Sequence, residues 1–463
     1  MAGSDNFDSV MSNDVFPIPA SPFEEYFLRD SRLGYNMTMP LLFMFRGGVD
    51  LCALEKAFNT AVLHEPLFCA VVRRRNNRYC WTHAPESPRL ITETDGEILD
   101  PSASEGIEQI ATLDITKTAG VHCRYIPMTD GFALRLHVHH AVCDGLGTIL
   151  FLGNWMAEYA RLVGDDTDFT VTHPLPERIT SRTELHIEFP HPLSGWTITK
   201  SFLRELRHWF CRPVCRLTPQ NGIDTGSETA KCGDPVLLWK TITNADTIRL
   251  RRKARTFGVS LNSYLTGLYF QHLCDWLDVK RKSERHWVRL LIPTNLRKPI
   301  HCDIPASNML GYAFLDRRAS ECVDSEFFYQ AIDGDIDITK KWSMGAMFIT
   351  GVDMVRRIPF AFPMILSSKN CLATSVFSNI GNPCKMLPYQ RFRDSGTIEA
   401  GGAKLHRIIG APPVRPNTPF CSGVIQQNDG TTLSMIVDTP QFGLENCREF
   451  HKKFIDRILE SAS

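Results

Sequence analysis

Two histidines followed at a fixed spacing by an aspartate and a glycine are the residues best suited to chemistry: His139-His140-Ala141-Val142-Cys143-Asp144-Gly145. The run that leads into them alternates. Phe132, Leu134, Leu136 and Val138 fall on one face of an extended strand, and Ala133, Arg135 and His137 fall on the other. Continued two residues further, that period carries His140 onto the apolar face and leaves His139 with the polar set. An imidazole aimed into an apolar interior is held neutral by burial, and a neutral imidazole accepts protons near neutral pH. Asp144 and Gly145 close the strand with turn chemistry. Beyond them Ile149, Leu150, Trp155, Ala157, Tyr159 and Leu162 predict a largely apolar helix up to the Gly-Asp-Asp break at 164–166. Strand, histidine, tight turn and helix together hold a ring in one orientation, as general-base chemistry requires.

Other readings of the same residues make other demands. A histidine on an apolar face can equally be a core residue hydrogen-bonded to a carbonyl. A metal site would use His137, His139 and Asp144, but no Cys pair and no HExxH string supplies the remaining ligands, so no metal is expected. A hydrolytic triad would need a nucleophile on an elbow such as GxSxG, and that string does not occur. Cys143 is adjacent, yet nothing in the sequence activates it. What remains for catalysis is a base acting directly on bound substrate.

HHAVCDG matches the HHxxxDG signature of the large acyltransferase superfamily similar to chloramphenicol acetyltransferase. That group includes nonribosomal-peptide condensation domains, polyketide-associated acyltransferases, wax ester synthases and the plant BAHD enzymes. Other segments fall in the family's order. Pro17 to Glu24 (PIPASPFE) resembles the opening motif of condensation-type members. Asp50 to Phe68, with LEKAFNTAVLHEPLF, resembles their first long helix and the RHExLR stretch after it. Phe257 to Leu268 resembles the helix opening the second half, and Pro293 to Arg297 (PTNLR) the strand motif that follows. Ser378-Asn379-Ile380-Gly381 resembles the Ser-Asn-x-Gly element near the active site. The chain departs from the pattern twice. The plant DFGWG motif is absent, and both arginines expected around His64-Glu65 are missing, which sets it apart from BAHD enzymes and from true condensation domains.

The resemblance implies an α/β fold of mixed sheets, with two chloramphenicol-acetyltransferase-like halves forming a V-shaped pseudo-dimer around a tunnel. It implies transfer from an acyl thioester, acyl-CoA or a phosphopantetheinyl carrier protein supplied in trans, to an alcohol or amine acceptor. No bound cofactor and no acyl-enzyme are expected. His140 would take the acceptor's proton, with His139 in a supporting, structural place. Ser378 or Asn379 would donate to the developing oxyanion, although either could simply close a strand as a turn. Asp144 would pair with an arginine and hold the turn. Arg297 is the candidate partner, the alternative being an ordinary surface charge. Gly145 would let backbone pass close to substrate or take a positive φ. A non-catalytic scaffold that keeps the fold is the remaining reading, and the intact His140, Asp144 and Gly145 count against it.

Composition agrees with a large enzyme. A chain of 463 residues, 43% hydrophobic, is long enough for two or three domains. The expected division is 1–180 for the half carrying HHAVCDG, 181–235 for a connecting helix and linker, and 236–463 for the second half. Lys plus Arg and Asp plus Glu both number 51, so no global charge recruits nucleic acid. The 15 cysteines form no CxxC pair, residues 1–14 are mostly polar, and no apolar run approaches a membrane span. A cytoplasmic enzyme with reduced thiols is expected.

The positioning elements are also legible. Ser21-Pro22-Phe23-Glu24 is a capping box, Met37 to Phe45 a strand, and Asp50 the cap of a helix carrying Leu51, Leu54, Phe58, Ala61 and Val62. Strands are expected at Ala70–Val72, Val121–Ile126 and Val236–Thr241, and helices capped near Asn244 and at Ser260. Asn428-Asp429-Gly430 joins Phe420–Gln427 to Thr431–Val437 as a hairpin, and a helix follows from Leu444 to Leu459. Residues 193–217 mix Trp196, Phe202, Leu203, Leu206, Trp209 and Phe210 with Lys200, Arg204, Arg207, Arg212 and Arg216. That composition predicts a surface helix that either touches a membrane or lipidic substrate, or packs onto its own domain.

Overall fold

Local chemistry starts each element that leads to the histidines. In a computed structural model, which describes residues 15–32, 34–76, 78–93, 103–165, 170–184, 212–219, 234–277, 286–367 and 369–462, the capping box forms as its sequence requires. Ser21 Oγ accepts from the Glu24 amide at 3.2 Å, and the Glu24 carboxylate accepts from the Ser21 amide at 2.9 Å. The same carboxylate is buried against Arg182 at 2.7 Å and the Trp81 indole at 2.9 Å, so the first helix is tied down at its start.

The principal elements of the first half are β1 (Ile18–Pro19), α1 (Pro22–Asp30), β2 (Thr38–Arg46), α2 (Leu51–Val62), β3 (Ala70–Arg75), β4 (Arg78–His83), β5 (Leu90–Thr92), β6 (Glu105–Gln109), β7 (Val121–Met128), β8 (Gly131–His139) and α3 (Gly145–Leu162). The second half contains β9 (Val236–Thr243), α4 (Asn244–Thr256), α5 (Leu261–Trp276), β10 (Val288–Asn295), β11 (Leu310–Arg317), α6 (Glu326–Lys341) and α7 (Met344–Val355). Then come β12 (Ser375–Gly381), β13 (Glu399–Ala400), β14 (Ala403–Gly410), β15 (Phe420–Gln427), β16 (Gly430–Val437) and α8 (Leu444–Ser461). They build two mixed sheets, ordered β13-β14-β2-β8-β7-β5 and β11-β10-β12-β15-β16-β9-β6, beside a small sheet β1-β4-β3. The fold is α/β with mixed sheets, in two halves.

Each large sheet buries both faces. On the outer side of the first, Phe43, Phe45, Leu134 and Leu136 pack with Phe58 of α2 and Trp155 of α3. On the second, Leu290, Phe377 and Met435 pack with Tyr269 of α5, Ile332 of α6 and Phe450 of α8. A third apolar seam joins the halves: Leu42, Met44 and Ile126 meet Leu237, Leu291 and Ile436. Strand β2 is therefore apolar on both sides, as its near-continuous run Met39–Phe45 demands.

The halves trade strands. β13 and β14, from residues 399–410, extend the first sheet through pairing of β14 with β2, while β6, from residues 105–109, pairs with β9 on the edge of the second. A division by residue number at 180 and 236 therefore differs from the division by sheet, because pairing is decided by exposed edges rather than by order in the chain. The polar face of β8 is also buried where alternation alone would leave it open. β6 covers it: Arg135 is bound by Glu93 and Glu108 at 2.7 Å each, and His137 contacts the Gln109 carbonyl at 3.3 Å. Of the segment 193–217, Trp196, Phe202 and Trp209 lie outside the described residues. Residues 212–217 are not helical, and Val214 instead bridges to Trp287. Among the described residues no helix is long and apolar enough to cross a membrane.

Burying so many imidazoles fixes how the fold responds to acid. Burial holds His137 and His451 down to about 4 and His139 and His272 down to about 3. In the unfolded chain each protonates near pH 6.5. Below that pH the unfolded state takes up protons that the folded state refuses, so stability drops as pH falls from about 6.5 toward 4. Glu65 acts in the opposite sense. Its buried carboxyl is pushed up to about 8, so its contribution is lost as pH rises from the ordinary carboxyl range to there. Burial raises Glu108 and Asp438 as well, and lowers His64, His122, His140, His173 and His406. Between about pH 5 and 6.5 the lowered imidazoles outweigh the raised carboxyls, and the melting temperature should fall steadily over that window on acidification. A melting temperature constant across it would contradict this account of the core.

Candidate active site

Strand β8 ends at His139, so His140 is the first residue of the turn beyond it. Its amide donates to the Met37 carbonyl and its carbonyl accepts from Asn308 Nδ2 at 2.6 Å, which fixes the backbone from both halves. The ring lies parallel to Phe27 of α1, with centroids 4.2 Å apart and an interplanar angle of 15°. Nδ1 is buried without a hydrogen-bond partner, and the ring lines a cavity of about 180 Å³ between the halves. Burial lowers the pKa of His140 below its ordinary value. The Asp144 carboxylate, the Asn308 side chain and the carbonyls of His140 and Cys143 pull the other way. The imidazole is thus neutral near pH 7.

Asp144 acts on that ring through space, by its charge. It caps α3, with Oδ1 accepting from the Gly147 amide at 2.7 Å. Its Oδ2 accepts from Arg297 Nη1 and from the Met309 amide, both at 2.9 Å. Arg297 completes the clamp by donating Nη2 to the Ser307 carbonyl at 2.7 Å. One carboxylate therefore joins the start of α3 to Arg297, two residues beyond β10, and to the 306–309 loop, both from the second half. Arg297 is largely buried and is no surface charge.

Gly145 does not have a positive φ, and a Cβ there would meet only Ile380 Cδ1, at an ordinary 3.9 Å. The close approach falls two residues later. A Cβ on Gly147 would lie 2.5 Å from Cys143 Sγ and 2.8 Å from Arg297 Nη2, so this glycine is what lets the guanidinium reach Asp144. Cys143 is buried and its thiol is pushed well above its ordinary pKa by burial, which keeps it protonated and unreactive. His139 is equally buried. Its Nδ1 accepts from the Ala141 amide at 3.2 Å and its Nε2 contacts Ser31 Oγ at 3.3 Å, so it shapes the turn. His137, His139 and Asp144 each point at different partners, and among the described residues no group of three such side chains could hold a metal ion.

Ser378 and Asn379 lie in the wall of the same cavity, at the end of β12. The Asn379 side chain closes a turn, one of the two alternatives the sequence left open: its Oδ1 accepts from the Gly381 amide at 2.9 Å, while its Nδ2 is buried with no hydrogen-bond partner. Three contributors to this site carry no sequence signal of their own. Phe27 is one apolar residue among several in α1, and Asn308 is an isolated polar residue before β11. Arg415, bound to Asp30 at 2.8 and 3.0 Å, puts a buried ion pair in the cavity wall. The PIPASPFE motif explains where α1 starts, but the face it turns toward His140 depends on the packing of both halves.

Removing one partner of a buried ion pair costs about 3–5 kcal/mol. Asp144→Asn should therefore lose about that much stability in urea titrations, alongside any loss of rate. Gly147→Ala should lose about 1–3 kcal/mol by crowding Arg297. An Asp144→Asn protein as stable as the wild type would place the carboxylate in the chemistry rather than in the clamp.

No family model matches the sequence, and no curated protein is recognisably similar to it. The fold has clear counterparts. The first condensation domain of the calcium-dependent antibiotic synthetase superposes with a TM-score of 0.67 at 13% identity, over 97% of each chain. A trichothecene 15-O-acetyltransferase from Fusarium sporotrichioides gives a TM-score of 0.67 at 12% identity, over 96% of this chain and 94% of that one. Polyketide synthase associated protein 5 from Mycobacterium tuberculosis gives 0.59 at 15% identity, over 94% and 97%. Over nearly its whole length, the chain has the fold found in condensation domains and in this acetyltransferase.

Proposed function

We propose that the chain is an acyltransferase that moves an acyl group from a thioester, with acyl-CoA as the first candidate donor, to an alcohol or amine. The observation that carries this reading is the neutral His140 ring at the cavity between the halves, with Ser378 and Asn379 in the same wall. With Nδ1 sealed, Nε2 is the nitrogen that accepts a proton. His140 removes it from the acceptor as the acceptor's oxygen or nitrogen attacks the thioester carbonyl. The developing oxyanion takes a hydrogen bond from Asn379 or Ser378. The carbon–sulfur bond then breaks, and the imidazolium returns its proton to the departing thiolate. Donor and acceptor must be bound together, and no acyl-enzyme forms. The fold shared with condensation domains keeps a second donor in view, a thioester on a carrier protein.

Thiol release from a panel of acyl-CoAs, with and without alcohol and amine acceptors, tests the reading. Release should require both donor and acceptor. His140→Ala should cost roughly 10²–10⁴-fold in rate while the protein stays folded. His139→Ala should chiefly lower the melting temperature, since that ring braces the turn. Release only from a loaded carrier protein would assign the second donor. Near-normal turnover by folded His140→Ala, or no release from either donor, would remove the proposal.

A further inference from the structure

The cavity at His140 is small. At about 180 Å³ it holds the reacting groups and little more, whereas small-molecule sites usually run to roughly 300–1,000 Å³. A second chamber of about 640 Å³ lies directly beside it. Tyr26 of α1 and Tyr312 of β11 line both, so two aromatic rings form the common wall. Those rings meet edge-on with centroids 6.1 Å apart, and Phe348 of α7 packs 5.2 Å from Tyr312.

The walls of the larger chamber combine hydrocarbon and thioether with the basic side chains of Arg212, Arg216, Arg289 and Lys369. Met344, Met347 and Val352 of α7 face it, with Met364 and Leu372 from the segment that follows. Methionine side chains are unbranched and adapt to irregular apolar guests. The guanidiniums in that lining are committed to the protein: Arg289 and Arg212 both bind Asp316, at 2.7 and 3.3 Å, Arg212 also stacks on Trp287, and Arg216 donates to the Lys369 carbonyl. The apolar surface continues outward along the same segment, where Ile358, Phe360 and Met364 are 58%, 85% and 64% exposed. Phe360 has a φ of 61°, a backbone conformation that aromatic residues rarely adopt. Clustered exposure of this kind marks a surface that receives an apolar partner.

From these observations we infer that the chamber binds an extended aliphatic chain of one of the two substrates and holds its reacting end toward His140. The inference rests on the acyltransferase reading for what happens at that end. The chain could belong to the acyl donor or to the acceptor, and the chamber offers both the same chemistry.

Calorimetric titration of His140→Ala, which binds without turning over, decides it. One arm uses acyl-CoAs from acetyl to palmitoyl, the other n-alcohols from ethanol to dodecanol. In at least one arm affinity should rise about three- to fourfold per added methylene until the chamber is full. Met347→Trp and Leu372→Trp, each placed in that background to fill the chamber from a different element, should weaken the longest ligands about tenfold or more and leave the shortest unchanged. Length dependence among the acyl-CoAs assigns the chain to the donor, and among the alcohols to the acceptor. Affinity independent of length in both arms overturns the inference, as does length dependence that both tryptophans leave intact. The His140→Ala series stands even if a tryptophan variant fails to fold. Binding is read without turnover, so failure here is separate from failure of the transfer reaction.

Discussion

The Asp144 carboxylate is 1% exposed, and its two oxygens are divided among three donors from three places in the chain. One is the first turn of α3, one the guanidinium after β10, and one the amide of Met309. No apolar contact could set the relative position of those pieces so narrowly, because burial is non-directional. The clamp also reaches His140. The 306–309 loop that it anchors is the loop whose Asn308 holds the His140 carbonyl, and Glu65 takes the Ala306 amide at the other end of it. The turn carrying the imidazole is thus held by both halves at once.

The same burial that makes the clamp costly to break makes the histidine useful. In a low-dielectric wall an ion pair must be complete to be tolerated, and an imidazole must be neutral. Phe27 covers one face of the ring, and Nδ1 is sequestered from solvent. Asp144 is built into the clamp. Its oxygens are occupied by other donors, and its charge acts on His140 only through space.

What the sequence displayed follows from what is local. The alternation before His140, the capping box at Ser21, the Asp50 cap and the Asn428-Asp429-Gly430 hairpin all depend on neighbours within a few residues, and each stands where its spacing puts it. The Asp144–Arg297 contact could be named only because PTNLR resembles a family motif; nothing in the residues themselves joins positions so far apart. Asn308 and Arg415 were invisible for the same reason. Gly145 and Gly147 both belong to one Gly-Leu-Gly string, and which of them must lack a side chain depends on a guanidinium arriving from the other half. Period two predicts that β8 has two faces, but it cannot tell that β6 will cross over and bury the polar one.

If His140 is the general base proposed above, the pH dependence of kcat/KM reports its ionisation in the free enzyme. Because burial lowers the pKa of His140, the acid limb of the profile should fall at a pH below the ordinary histidine value of about 6.5, with activity sustained through neutrality. An acid limb centred at or above about pH 6.5 would mean that His140 is solvated or paired with a carboxylate, and would contradict the account.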